Sequence, residues 1–263
     1  MPTQPSQQSN LHESNVAERV SVSTSAAKLP HPYRSLSARE RLKNRIERQV
    51  KLTTEPLELG GQHFDWYRVA NPDVLLQNAA NNDVRPNDAR PHEELDPFWA
   101  ATWRAAIGLD RFLQRFDLRG VRVLELGCGS GQAGVGAAAQ QAQVTMTDAV
   151  GLALMVAKLN AWSLRERIRF QRLRWTIDQL EQAPFPIIIG SDIVYDPNLF
   201  PLLDACARTH LASGGRIYLS EPHRHTGDRF ATWIRNAGWH AIEHDLDLQD
   251  GRVPIRVFEV ASC

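Results

Sequence analysis

Residues 122–136 read RVLELGCGSGQAGVG, and no other stretch restricts the fold so strongly. A short apolar run (Val123, Leu124, Leu126) holds a single acid, Glu125, and leads straight into Gly127-Cys128-Gly129-Ser130-Gly131. Small residues follow in a helical pattern. A buried strand feeding a glycine turn and then a helix is a nucleotide-cradling unit. The glycines let the backbone turn sharply and approach a ligand without a Cβ in the way. The start of the helix presents N–H groups that the helix itself does not use.

The chain around this unit repeats the same alternation. Val144–Asp148 reads as a strand ending in an acid, followed by a helix over about 152–163. Ile168–Leu173 is the third strand. Pro186–Gly190 is a continuous apolar run, as expected of a parallel strand buried on both faces, and Ser191-Asp192 follows it. A helix after Pro197 turns Leu199, Leu202, Leu203 and Cys206 inward and stops at Ser213-Gly214-Gly215. Arg216–Ser220 is the fifth strand, and a helix over about 227–237 ends at Gly238. The runs 240–244 and 253–260 form an antiparallel pair. Five strand–helix alternations require a parallel sheet with helices on both faces. The expected class is therefore α/β: a doubly wound, mostly parallel, seven-stranded Rossmann-like sheet with a C-terminal antiparallel strand pair and an N-terminal helix plus hairpin extension.

Three regions are expected along the chain. Residues 1–32 are too poor in large apolar groups to offset the cost of ordering and read as a disordered tail. Residues 33–95 form the extension, and 96–263 the main domain. In the extension, Ser37-Ala38-Arg39-Glu40 matches a capping box. Its helix carries Ala38, Leu42, Ile46 and Val50 as a narrow seam among Arg39, Arg41, Lys43, Arg45 and Arg48. A basic docking arm and a solvated surface helix both fit, and the solvated helix is favoured. Gly60-Gly61 between alternating runs signals a two-residue hairpin, and 71–95 reads as a loop with a short helix around 74–79. Asp96-Pro97 then opens a helix with Phe98, Thr102, Ala105, Leu109, Phe112 and Phe116 on its inner stripe. Trp99 and Trp103 lie beside that stripe, as core filler or as the rim of a ligand site.

Composition narrows the partners. Lys plus Arg and Asp plus Glu are both 30 of 263 residues, so a broad basic face for nucleic acid is not expected. Three cysteines without CxxC spacing suit a reducing, cytoplasmic compartment. No apolar run approaches the ~20 residues of a membrane span, and no apolar leader marks secretion. His223 and His225 lack a third ligand, so no metal is expected.

Ligands of such sheets lie across the carboxyl ends of the strands, where the first strand neighbours the fourth. The glycine turn, Asp148, and Asp192 with Tyr195 all fall there. Asp148 is placed to bind vicinal ribose hydroxyls, which NAD and S-adenosylmethionine share. Residues 129–134 formally fit the dinucleotide pattern GxGxxG. Glu125 argues the other way, because a negative charge beneath the turn repels a pyrophosphate and suits a sulfonium and an ammonium. A second reading makes Glu125 a tie between the turn and backbone N–H groups.

ELGCGSG at 125–131 resembles motif I of the seven-strand (class I) S-adenosylmethionine methyltransferases, and Asp148 matches their ribose-binding acid. DPFWAATW at 96–103 and GSDIVYD at 190–196 resemble two segments of their small protein-lysine methyltransferase branch. That branch includes the electron-transfer flavoprotein β-subunit enzymes and bacterial nicotinamide N-methyltransferase-like proteins. The resemblance spans about 57–260. It implies S-adenosylmethionine as cofactor, held by Glu125, Gly127, Gly129, Gly131, Asp148, Trp99, Trp103, Trp175 and Asp192. It implies that Asp192 and Tyr195 face the methyl group, and that a protein lysine is the acceptor, with a small-molecule amine as the alternative. Trp99 and Tyr195 would offer aromatic faces to the cationic nitrogen, and Arg224 would contact the acceptor. An NAD-dependent oxidoreductase and a non-catalytic scaffold are rival classes. Two positions depart from the pattern: Arg104 replaces a common Pro, and Arg174 replaces an Asp before Trp175.

Overall fold

The computed structural model describes residues 36–75, 77 and 97–262. The expected tail at 1–32, most of the 71–95 loop and Asp96 as a helix cap lie outside these residues.

The main sheet has seven strands: β3 (Arg122–Glu125), β4 (Gln143–Asp148), β5 (Ile168–Arg172), β6 (Phe185–Ser191), β7 (Leu211–Glu221), β8 (Trp239–Leu246) and β9 (Ile255–Ser262). Their spatial order is β5-β4-β3-β6-β7-β9-β8. The first five run parallel, and β9 inserts antiparallel between β7 and β8. The first and fourth strands of the sheet, β3 and β6, are neighbours, which sets the switch point. Period-two alternation sends successive residues to opposite faces. Val123, Ile189 and Val257 join one apolar core, and Leu124, Ile188 and Phe258 the other. Burial on both faces is why Pro186–Gly190 is apolar throughout.

Helices α2 (Arg104–Leu113), α3 (Gln132–Ala139), α4 (Gly151–Asn160), α5 (Phe200–His210) and α6 (His225–Asn236) cover the sheet. Helix α1 (Ala38–Glu47) starts at the expected capping box on Ser37 and Glu40. It packs a thin seam of Leu42, Ile46 and the following Val50 against Val156 and Leu159 of α4. Ala38 is exposed, as are Arg39, Arg41, Arg45 and Arg48, so α1 is a solvated helix held by one seam.

Strands β1 (Leu52–Leu59) and β2 (Gln62–Val69) form the hairpin. Gly60 and Gly61 both have left-handed φ, 56° and 73°, as a two-residue primed turn requires. The tip is docked as well as turned. The Gly60 N–H donates to both carboxylate oxygens of Asp110 in α2, at 3.0 and 3.1 Å. A Cβ at Gly60 would stand 2.4 Å from the Gly136 carbonyl oxygen of α3, and one at Gly136 would stand 1.9 Å from Asp110 Oδ1. Three elements meet here only because two of the residues lack a side chain.

Two expectations need correction. The helix opening at Asp96-Pro97 is not continuous. Phe98–Ala100 is a 3₁₀ turn, Ala101 and Trp103 are extended, and α2 begins at Arg104. Ala105, Leu109 and Phe112 are buried as expected, but Phe98 and Phe116 remain 44% and 39% exposed. The break lets the 3₁₀ turn lie over Gly129, and the Trp103 indole N–H donates to the Phe98 carbonyl at 2.9 Å. Tertiary contact overrides helix propensity at this point. Helix α5 ends at His210, and Ser213-Gly214-Gly215 lies inside β7. His210 is fully buried. Its Nε2 accepts the Leu180 N–H at 3.2 Å, so its Nδ1 carries the proton given to the Cys206 carbonyl at 2.8 Å. The ring is thus fixed on both sides, and Leu211 turns extended and pairs with Phe185.

Burial pushes the Asp110 carboxyl up from 3.8 to about 6. A raised value means that proton uptake favours the folded chain. The contribution is full below pH 3.8, is lost as pH rises through 6, and amounts to ~3 kcal/mol. Asp110→Asn keeps an acceptor for Gly60 and carries no charge. Its stability relative to the parent should therefore rise between pH 4 and 7 in denaturant titrations. A constant difference across that range would refute the assignment.

Candidate active site

The glycine turn follows β3 with Gly127, Gly129 and Gly131 all at positive φ (59°, 52° and 96°). Neighbouring strand ends hold it. The Cys128 N–H donates to the Thr147 carbonyl at 2.9 Å, and the Thr147 hydroxyl to the Glu125 carbonyl at 2.6 Å. Asp148 accepts the Gly129 N–H on one oxygen at 2.9 Å and the Val150 N–H on the other at 2.8 Å. From α4, Asn160 donates to the Ser130 carbonyl at 3.1 Å. Its side chain also takes the Tyr67 N–H at 2.8 Å and donates to the Tyr67 carbonyl at 3.0 Å. The hairpin and the glycine turn thus share one amide.

Glu125 does not act as the charge argument expected. It is 1% exposed. Its Oε1 accepts the Gly134 N–H of α3 at 3.0 Å, and burial, with the nearby Asp148 charge adding to it, pushes its carboxyl up to about 8. Burial therefore disfavours its charged form, and its Oε2 is buried without a hydrogen-bond partner among the described residues. Its place is under α3, tying the helix to the strand. Cys128 is buried beside it, and its thiol is pushed well above its usual range, first by burial and then by Asp148 and Glu125.

On the other side of the turn stands Asp192, just past β6, with φ 57°. Its N–H donates to the Ser220 carbonyl at 2.7 Å. Its Oδ1 is paired with the Arg224 guanidinium, and its Oδ2 is buried without a hydrogen-bond partner among the described residues. Three rings gather near it. Phe98 meets Tyr195 edge-on at 5.5 Å and Trp103 at 6.3 Å. The Arg224 guanidinium lies over Trp103 at 5.4 Å.

Trp99 does not join them. It packs with Ala100 on the cluster of Ile46, Val69, Val156 and Leu159. Its backbone and Cβ lie over the glycine turn, where a Cβ on Gly129 would stand 3.4 Å from the Trp99 carbonyl oxygen and 4.0 Å from the Trp99 Cβ. The ring beside Tyr195 is Phe98, which the helical stripe had assigned to the core. The interruption of the helix at 101–103 that frees it leaves no mark in the residue pattern.

Arg224 is held by a buried acid. Glu221, 1% exposed, accepts the Arg224 N–H at 2.6 Å and pairs with Arg256 Nε of β9 at 2.5 Å. Arg256 donates to the Arg224 carbonyl at 3.3 Å, and further reaches Asp228 at 2.7 Å and Glu243 at 3.2 Å. His223 pairs with Asp245 at 2.8 Å. Among the described residues no group of three His, Cys, Asp or Glu side chains could hold a metal ion.

Trp175 is half-buried on Leu124, Leu126, Leu173 and Leu180, and the Leu173 N–H donates to the Asp148 carbonyl at 3.2 Å. This brings 173–175 beside the end of β4. Arg174 is tied through its N–H, Nε and Nη2 to Asp178, whose carboxyl it holds down at about 2. An acid does return to this region, four residues later. Arg104 forms a two-pronged pair with Asp250, at 2.8 and 2.8 Å, and donates to the Val253 carbonyl at 3.1 Å. It clamps the β8–β9 loop against the start of α2.

The first turn of α3 holds one further signal. The Gln132 side chain is buried, and its Nε2 has no hydrogen-bond partner among the described residues. A buried donor without an acceptor is costly, and the first-turn N–H groups beside it lack helical partners by construction. Donors here and carboxylate lone pairs at Asp148 suit a ligand bearing a carboxylate and vicinal hydroxyls. S-adenosylmethionine has both. Gln132 was legible only as the position after the third glycine.

A family model described as "Lysine methyltransferase" matches residues 94–236. Protein N-lysine methyltransferase METTL21A of Danio rerio is 35% identical over 128 residues, covering 46% of this chain and 58% of that protein. EEF1A lysine methyltransferase 3 of Mus musculus is 37% identical over 131 residues, covering 48% and 56%. The chain thus spans little more than half the length of these relatives. The glycopeptide N-methyltransferase MtfA, solved in complex with S-adenosyl-L-methionine, superimposes with a TM-score of 0.54 at 15% identity, covering 60% of this chain and 94% of that one. The fold is shared.

A Cβ at Gly134 would stand 2.2 Å from Glu125 Oε2 and 2.5 Å from the Met146 methyl. Gly134→Ala gains about 1 kcal/mol of helix propensity but overpacks a tight site at about 1–3 kcal/mol, so it should melt below the parent. Glu125→Gln mimics the neutral acid. The parent should lose stability as pH rises through 8, while the Gln variant should not. Parallel melting curves for the two between pH 7 and 9 would rule out a buried neutral carboxyl.

Proposed function

The chain belongs to the lysine methyltransferase family, and on that footing we propose that it transfers a methyl group from S-adenosylmethionine to a lysine nitrogen of a protein. The observation that carries the reading is the contact between the glycine turn and the segment after β6. A Cβ at Gly127 would lie 2.9 Å from Ile193 Cγ2, so the residue next to Asp192 packs directly on the turn. A donor cradle and a buried acid with aromatic neighbours therefore adjoin.

Asp148, at the end of β4 and bonded to the turn, would take the ribose hydroxyls. Gln132 and the first turn of α3 would take the methionine carboxylate, and Trp175 would face the adenine. When bound, S-adenosylmethionine supplies an activated methyl: the nitrogen lone pair forms the N–C bond, the S–C pair returns to sulfur as a thioether, and the amine releases a proton. The protein's task is alignment, which can contribute roughly 7–11 kcal/mol. Lysine has a reference pKa of about 10.4 and must react as the neutral amine. Asp192 orients an N–H of that amine, and the Tyr195 and Trp103 faces steady its cationic form. Buried free thiols at Cys128 and Cys206 support a reducing, cytoplasmic setting.

Asp192→Ala should cut turnover by about 100-fold or more, with S-adenosylmethionine affinity in calorimetry nearly unchanged. Asp148→Ala should weaken that affinity by about tenfold or more. Normal turnover in the first or normal affinity in the second would remove the assigned role. Incubation with labelled S-adenosylmethionine and host lysate decides the acceptor: label in a protein band supports the lysine reading, and label confined to small molecules overturns it.

A further inference from the structure

Asp192, assigned to the acceptor, is already occupied. Its side chain is 4% exposed, its Oδ1 is taken by Arg224, and its Oδ2 is sealed from solvent. Arg224 is the more exposed half of the pair, with 35% of its side chain exposed and its guanidinium on the Trp103 face. A carboxylate and an aromatic face are the two contacts that a lysine ammonium would seek.

We propose that Arg224 stands in for the acceptor's cation, and that the target lysine displaces it when an acidic residue beside that lysine takes over the guanidinium. The inference rests on the methyltransferase reading and specifies its substrate class: lysines flanked by Asp or Glu.

Two physical constraints lead there. Stripping the guanidinium from a buried carboxylate leaves an uncompensated charge, which is strongly unfavourable. Arg224 therefore leaves only as another cation arrives. The displaced guanidinium and the arriving ammonium then share one narrow mouth and repel each other unless an anion stands between them. Among the described residues the acids around Arg224 are engaged. Glu221 holds the Arg224 N–H and Arg256, Asp228 and Glu243 also pair with Arg256, Asp245 pairs with His223, Asp250 with Arg104, and Asp196 takes the Asn198 N–H. The anion is therefore assigned to the substrate. The backbone of Arg224 stays fixed throughout, because Glu221 and Arg256 grip its N–H and carbonyl. Only the side chain swings.

The probes are the tripeptides acetyl-Glu-Lys-Glu-amide and acetyl-Gln-Lys-Gln-amide, tested on the full chain and on Arg224→Gln and Arg224→Lys. With labelled S-adenosylmethionine, the parent should methylate the acidic peptide with a kcat/KM about tenfold or more above the neutral one, a preference worth at least about 1.4 kcal/mol. Arg224→Lys should retain the preference. Arg224→Gln should lose it and accept the neutral peptide better than the parent does. Equal kcat/KM in the parent, or a preference that survives Arg224→Gln, overturns the proposal. A second readout needs no turnover. The Arg224 Nε–H resonance, identified by its loss in Arg224→Gln, should move on titration with the acidic peptide and stay put with the neutral one. Should neither peptide be methylated, the lysine-acceptor reading is still decided separately, by whether a protein band takes the label. The resonance still decides the exchange: movement with the acidic peptide upholds it, and a static signal overturns it.

Discussion

The Asp148 carboxylate is the point on which the cofactor side of the molecule depends. One oxygen holds the Gly129 N–H in the turn after β3, and the other holds the Val150 N–H that starts α4. Two strand-to-helix crossings are thereby set in register at their closest approach. The Thr147 hydroxyl and the Cys128 N–H add a second pair of rungs between the same strand ends. The acid that the ribose reading assigns to the cofactor is thus also the one that shapes the cradle.

The N-terminal extension belongs to this arrangement and is more than an appendage. Its hairpin tip enters the α2–α3 junction at Asp110, and its second strand shares Asn160 with the glycine turn. Each contact uses a directional bond to backbone, and backbone bonds do not tolerate sliding. Position is thus transmitted from the hairpin to Ser130 by backbone bonds, in addition to the apolar packing of Leu59, Trp66 and Val69. The price is a buried carboxyl at Asp110 whose ionisation is unfavourable.

Where residues act through local pattern, the sequence was a good guide. Alternation at Val123-Leu124 and Ile188-Ile189, the glycine turn, the Gly60-Gly61 hairpin and the Ser37 capping box all follow from chemistry within a few residues, and the structure realises each of them. Effects that need a partner far along the chain were not legible. Glu125 reads as a charge, but burial under Gly134 disfavours that charge. Trp99 and Trp103 read as a stacked pair, but the break between them comes from Gly129 lying below. His210 is buried because the Leu180 N–H, thirty residues away, meets its ring. Arg224 could be placed near the pocket, yet its pairing with Asp192, 32 residues away, depends on a Glu221–Arg256 contact spanning 35 more.

That last contact has a consequence in time. Strand β9, which carries Arg256, follows all the other strands in the sequence but lies between β7 and β8. During synthesis, β7 and β8 must wait with open edges until residues 255–262 emerge and slot between them. Until then Glu221 lacks the Arg256 guanidinium, and the Arg224 carbonyl lacks its donor. A nascent chain could fold its donor cradle early, yet the acceptor side would be assembled only in the last step. The order of the strands therefore delays the completion of the active site until the sheet itself is complete.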